Sequence, residues 1–263
     1  MPPSCRAERE HTMLTLYHAL ISTCSQRVRM ALAEKGLVWT EHRISLPDNE
    51  HLTPEYLAIN PNGLVPSLVH NGQAIHDSSV IMEYLEDVFP AQALRPADPV
   101  RLARMRAWTH YIDEVPSAAT RIPSFHYVFG KGLRHLPRPV LEDLAAQRPL
   151  RKHMYLRIGP EGFSAQDLAQ AWEQLEQSFQ RMEAALAHGP WLNGEDFSLA
   201  DISMLPVIVR MEDLGYAPLW SDRPRLADWY ARITARPAFE AAFPPGSRLT
   251  LPPDTGVLPG LGQ

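Results

Sequence analysis

Apolar positions follow two regimes along the chain. Up to about Val88, short apolar runs alternate with stretches at helical spacing; beyond Asp98, nearly every patterned segment repeats at steps of three and four. Leu14-Thr15-Leu16-Tyr17 predicts a short buried strand. A helix follows from about Ser25, with Val28, Ala31 and Leu32 on one face and Gly36 suited to the positive φ needed just past its end. Val38 to Ile44 alternates in part and is β-branched, which predicts a strand, and residues 46–51 read as loop. Thr53-Pro54-Glu55 opens a short helix with proline at its first position. Ser67-Leu68-Val69, Asn71-Gly72 and Ala74-Ile75 form a hairpin signature, because Asn-Gly favours a type I′ turn. Ile81, Tyr84, Leu85 and Val88 predict a helix that stops at Phe89-Pro90. The predicted order is β-α-β-α-β-β-α.

After a linker at 91–98 the pattern turns helical. Asp98-Pro99 reads as an N-cap followed by proline, and Leu102, Met105, Thr109 and Ile112 line one face of the next helix. Residues 121–160 are less regular, rich in basic and aromatic side chains, and interrupted by Pro123, Pro137, Pro139 and Pro149. From about Ala165 to Ala187 a stripe of Leu168, Trp172, Leu175, Phe179, Met182 and Leu186 predicts a long amphipathic helix. Ser198-Leu199-Ala200-Asp201 is a capping box with Asp for Glu, and the apolar run Ile202–Val209 behind it predicts a helix buried on most sides. Pro224 to Arg236 places Leu226, Trp229, Tyr230 and Ile233 on a core face, and a short helix follows Pro237. Residues 1–12 and the Pro- and Gly-rich stretch 244–263 are expected to be disordered tails.

Composition narrows the function classes. A net charge of −5 across 263 residues gives no electrostatic footprint for nucleic acid. No apolar run approaches the ~20 residues of a membrane span, and the first twelve residues lack the apolar core of a secretory signal. The 2 cysteines, Cys5 and Cys24, fit a reducing compartment better than a disulfide framework, so a cytoplasmic location is expected. The 11 histidines show no metal-ligand spacing, and no metal is expected.

The candidate chemistry lies at the first β-α turn, Ser22-Thr23-Cys24-Ser25. A helix start presents free N–H groups and a partial positive charge, which suit an anion. An ordinary thiol has a pKa of about 8.5, and lowering it by roughly two units takes about 2.7 kcal/mol. One hydroxyl hydrogen bond to a charged sulfur, about 1.5–3 kcal/mol, together with about 0.3–1 from the helix end, is enough. A serine at this turn could therefore ionise a bound thiol without a general base.

Tyr17…Ser22-Thr23-Cys24-Ser25-Gln26-Arg27-Val28-Arg29, Asn60-Pro61…Val65-Pro66, Asp77-Ser78…Glu83-Tyr84-Leu85 and the Ser198–Asp201 box together resemble the cytosolic glutathione S-transferase superfamily. That resemblance implies an α/β thioredoxin-like domain at 13–92, an all-α helical-bundle domain at 98–243, and a homodimer. It implies glutathione as co-substrate and an apolar electrophile as its partner. Ser22 falls on the catalytic serine of the zeta-like pattern, with Ser25 as the alternative thiolate stabiliser. Both serines stand where a thioredoxin-fold oxidoreductase carries its cysteines, which argues against dithiol redox chemistry. Thr23 and Cys24 complete the glutathione-binding turn. Val65-Pro66 resembles the Val–cis-Pro that pairs with the cysteinyl part of glutathione. Asp77 and Ser78 match the pair that holds its γ-glutamyl end, and His51 falls where a side chain reaches the glycyl carboxylate. Phe125, Tyr127 and Phe129 are candidates for the acceptor site.

A narrower likeness connects Tyr84–Pro90, Leu94–Pro99 and the 121–160 insertion to bacterial β-etherases of the superfamily, which cleave β-aryl ethers with glutathione. Two alternatives stand beside a transferase of that kind. One is a zeta-type isomerase; the other is a glutathione-transferase-like binding module without turnover.

Overall fold

A computed structural model describes residues 13–250, apart from the side chains of Pro218 and Leu219. The expected tail at 1–12 lies outside the described residues, as does 251–263. The first half runs β1 (Leu14–His18), α1 (Thr23–Glu34), β2 (Thr40–Arg43), α2 (Pro54–Ile59), β3 (Ser67–His70), β4 (Gln73–His76) and α3 (Ser78–Val88), in the predicted order. One four-stranded sheet has the order β2-β1-β3-β4. β1 is parallel to β2 and antiparallel to β3. Leu14, Leu16 and Leu68 from the sheet meet Val28, Ala31 and Leu32 of α1 and Ile81, Met82 and Leu85 of α3 in one buried cluster. The Asn71-Gly72 turn has φ of 49° and 79°, as a type I′ turn requires. Gly36, just past α1, has φ 62°.

The second half is helical: α4 (Pro99–Glu114), α5 (Pro116–Ser124), α6 (Arg138–Ala146), α7 (Lys152–Leu156), α8 (Ala165–Ala185), α9 (Leu199–Asp213), α10 (Pro224–Thr234) and α11 (Ala238–Ala242). This is the thioredoxin-like α/β unit followed by a helical bundle. The Asp98 carboxylate accepts the Arg101 N–H at 2.8 Å and starts α4 as expected. On α4 the buried aromatic is Trp108 and not Thr109, which lies at the edge of that stripe. The insertion is more helical than its prolines suggest. Pro139 and Pro149 sit in first turns, where their missing N–H costs nothing. Pro123 is inside α5, and the chain passes from there into a π-helical turn, Phe125–Phe129.

The tail prediction needs correcting over 244–250. Its Pro and Gly content rules out a helix but not order. Ser247 is fully buried, and its carbonyl accepts from Gln26 Nε2 at 2.8 Å. Arg248 pairs with Glu212 and Asp213.

The two halves are joined through α1. Arg29, fully buried, donates to the Ala242 carbonyl at 2.7 Å and to the Leu20 carbonyl at 2.9 Å. Arg27 donates to Asp113 at 2.5 Å and to Ser117 Oγ at 2.9 Å, linking α1 to α4 and α5. Lys35 and Glu86 form a buried pair at 2.6 Å, and Glu86 also accepts the Leu94 N–H at 3.0 Å, which pins the linker. Both arginines are spent inside the chain. Among the described residues no helix is long and apolar enough to cross a membrane.

Candidate active site

Strand register assembles the site. Tyr17 pairs with Ser67, and Ser67 pairs with His76. That row across β1, β3 and β4 places the β1–α1 turn, Val65-Pro66 and Asp77-Ser78 at one end of the sheet. His18 pairs with Arg43 in the parallel neighbour, so the 44–51 loop leaves from the same end. Segments far apart in sequence thus meet along one edge, ordered across it as loop 44–51, first turn, Val65-Pro66, Asp77-Ser78.

Ser22 is the N-cap of α1, and its Oγ accepts the Ser25 N–H at 3.3 Å. That leaves the Ser22 hydroxyl proton free to donate outward, and the side chain is half-buried. Thr23 and Cys24 follow as the first helical residues, and their N–H groups have no acceptor among the described residues. Ser25 is fully buried, and its Oγ accepts the Ala19 N–H at 3.4 Å. The two serines therefore differ in kind: one faces the opening, the other braces the turn from beneath.

Val65-Pro66 is a cis peptide bond. The Val65 N–H and carbonyl have no partner among the described residues, which leaves a short stretch of backbone ready to pair with a peptide ligand. Tyr56 Oη and Asn60 Nδ2 hold the preceding Leu64 carbonyl at 2.7 and 2.8 Å. Asp77 takes φ 68° and caps α3 by accepting the Ser79 and Val80 N–H groups at 2.9 and 3.2 Å. Its exposed carboxylate and the Ser78 hydroxyl stand together at the start of that helix.

His51 is placed at the correct end of the sheet but is buried, with Nδ1 unpartnered. Burial and the nearby Arg148 guanidinium push its pKa down to about 4, so the ring is neutral at physiological pH. A neutral His51 can offer an N–H to a carboxylate, not a cation.

The aromatic candidates divide. Phe125 packs edge-on to Phe129 and to Tyr155, with centroids 5.5 and 5.7 Å apart. The Arg210 guanidinium lies 5.4 Å from the Phe129 ring and donates to the Ile21 carbonyl, one residue before Ser22. Phe125 and Phe129 are thereby tied to the first turn. Tyr127 turns the other way, packing on the hydrophobic core beside Tyr216, and burial raises its pKa.

The sequence reading missed the arginines around the turn. Arg27, Arg121 and Arg210 all lie close enough to Cys24 to interact with its sulfur electrostatically. Burial lowers the pKa of Arg121 and of Arg210 to about 10, which leaves both charged at neutral pH. Arg210 carried a signal: it is a charge embedded in the apolar run of α9. A cavity of about 310 Å³ opens beside the turn, between Ala19–Ile21 and the 43–47 segment. The site is an electropositive crevice with free N–H groups and a free hydroxyl, suited to an extended anionic peptide and an adjoining aromatic molecule. Among the described residues, no group of three or more His, Cys, Asp or Glu could hold a metal ion.

Comparison with known proteins places this geometry. Residues 21–88 match the family model of the glutathione S-transferase N-terminal domain, and residues 165–232 match that of the C-terminal domain. Protein LigF of Sphingobium sp. strain SYK-6 is 30% identical over 232 residues, covering 82% of this chain and 88% of LigF. Maleylacetoacetate isomerase of Pseudomonas aeruginosa is 32% identical over 235 residues, covering 88% and 96% of the two chains. The crystal structure of β-etherase LigF from the same Sphingobium strain superposes with a TM-score of 0.79 at 29% identity, over 88% of this chain and 98% of that one.

Proposed function

This chain belongs to the glutathione S-transferase superfamily and is an enzyme of that kind, and we propose that it cleaves a β-aryl ether by attack of a glutathione thiolate held at the start of α1. The observation that carries the reading is the half-buried Ser22 hydroxyl. It accepts from Ser25 N–H at 3.3 Å, so its own proton is left for the sulfur. The unpartnered Thr23 and Cys24 N–H groups and the Arg121 and Arg210 cations favour the same negative charge. Ser25 serves as a brace, because full burial keeps it from the ligand.

The tripeptide lies along the end of the sheet. Its γ-glutamyl group meets Asp77 and Ser78, and its cysteinyl backbone pairs with Val65. The thiolate attacks the carbon bearing the ether oxygen. The C–S bond forms as the C–O bond breaks, and the aryloxide leaves with the electron pair. Phe125 and Phe129 line the acceptor side. Residues 13–92 are the glutathione-binding unit and 98–243 the substrate unit. Exposed Val80 and Val88 on α3, with Val100 on α4, provide apolar surface for a second copy.

The etherase assignment rests on the LigF likeness in sequence and in fold. The isomerase reading keeps one support of its own, the Pseudomonas relative at 32% identity. Turnover of a β-aryl ether model dimer, next to a cis-alkene dioxo acid, separates the two. We expect release of the phenol that depends on added glutathione, with stoichiometric formation of the glutathione thioether. Isomerisation of the alkene with no phenol release would reverse the assignment.

A further inference from the structure

We infer that Arg148, a residue of the helical half, binds the glycyl carboxylate of glutathione; this rests on the glutathione-binding reading above. The order across the sheet end sets the direction of the ligand. With the γ-glutamyl group at Asp77-Ser78 beside β4 and the cysteinyl group at Val65 beside β3, the glycyl end points past β1 toward the loop that follows β2. An extended tripeptide spans about 10 Å, roughly two strand spacings, which carries its carboxylate from beside β4 to the turn after β1, where residues 43–47 and Glu50 face Ala19–Ile21. The 310 Å³ cavity opens on that side, between the first turn and this loop.

The loop supplies no cation for a carboxylate there. His51 is buried and stays neutral. Asp48 and Glu50 are acidic, and both turn back on Ser45, with Glu50 accepting its N–H at 2.6 Å. Arg43 is already paired with Glu41 at 3.3 Å. The charge comes from across the cleft. Arg148, between α6 and α7, donates to Asn49 Oδ1 at 2.5 Å, and its guanidinium lies 5.2 Å from the Tyr155 ring centroid. Its bond to the Leu144 carbonyl at 2.8 Å fixes the stem. Arg148 is half-buried, has no carboxylate partner among the described residues, and its Nε is buried without an acceptor. A half-buried guanidinium held only by neutral oxygens, beside an unpartnered His51 Nδ1, has the donor set of a carboxylate site.

The test compares glutathione with γ-glutamylcysteine, which lacks the glycyl carboxylate. The wild-type enzyme is expected to prefer glutathione in KM. Arg148→Gln, which keeps a stem that can stay on Tyr155, is expected to raise KM for glutathione roughly ten- to a hundredfold. It should leave KM for the dipeptide nearly unchanged, with kcat altered less than threefold or so. Arg148→Ala should give the same loss of preference. Asn49→Ala removes the protein partner of Arg148 but not the proposed site, so it should retain the preference. A glutathione-to-dipeptide ratio unaffected by either Arg148 variant, or lost equally in Asn49→Ala, would overturn the inference. Failure of the wild-type enzyme to saturate with either thiol would instead overturn the glutathione reading itself.

Discussion

Ser22→Ala is expected to lower kcat at neutral pH by about ten- to a hundredfold and to move the acid limb of the pH–rate profile up by about one to two units. The magnitude follows from the bond removed. A hydroxyl donating to a charged sulfur contributes about 1.5–3 kcal/mol, and 1.36 kcal/mol is one pKa unit. The helix N-terminus and the neighbouring arginines remain in the variant, so activity should return at high pH. Affinity for glutathione should fall little, because the γ-glutamyl and cysteinyl contacts are untouched. Ser25→Ala is the informative contrast. Its hydroxyl is buried and bonded to the Ala19 N–H, so this variant should lose stability and keep its pH limb. If the limb moves in Ser25→Ala and stays in Ser22→Ala, the roles are exchanged.

Asp201→Ala is expected to destabilise the fold by about 3–5 kcal/mol, measured by denaturant unfolding. This carboxylate is fully buried. It accepts the Leu192 N–H and Trp229 Nε1–H, each at 2.9 Å, and the Ser198 N–H at 3.1 Å. Removing it takes the acceptor from four donors inside the bundle, the Ser198 hydroxyl included, and breaks the capping box of α9. Asp201→Asn, which keeps one acceptor oxygen, should cost less. A pH signature accompanies the substitution. Burial raises the Asp201 pKa from 3.8 to about 6, so the folded state holds the proton more tightly than the unfolded chain does. The resulting stabilisation is complete below about pH 4 and is lost as pH rises through 6. The stability gap between wild type and Asp201→Asn should therefore narrow from pH 5 to pH 7.5. A gap that is constant or widening would mean the carboxylate is ionised throughout that range.

Much of this architecture was legible because local signals and tertiary demands agree. The hairpin followed from Asn71-Gly72, the α9 start from Ser198 and Asp201, and the α8 core from a stripe of matching period. Where they disagreed, the structure went its own way. Thr109 fits the period on α4, but the larger Trp108 takes the buried place one position earlier. Residues 244–250 have a disordered composition and are held by contacts to Gln26 and Asp213, more than thirty residues away in sequence, which no local pattern reveals.

The site shows the same division. Ser22 could be picked out as a hydroxyl at a helix start, whereas Val65-Pro66 and Asp77-Ser78 were legible as candidates only through the family resemblance. Ser22 could be told from Ser25 only by burial. The identity of the cations near the first turn could not be read: Arg121 and Arg210 come close to Cys24 from α5 and α9, and only packing decides which of many arginines arrive. His51 was found by position, and its burial and neutral ring come from packing that no local pattern reveals. Tyr127 shares its segment with Phe125 and Phe129 but packs against the core cluster beside Tyr216.

The account stands on the ionisation of a sulfur atom at the amino end of α1, and a pH titration of enzyme-bound glutathione, followed by the ultraviolet absorbance of its thiolate, reads that directly. The expected midpoint lies about two units below the ordinary thiol value of about 8.5, so that the bound thiol is largely ionised at neutral pH. A bound thiol that titrates at its free value would contradict the account.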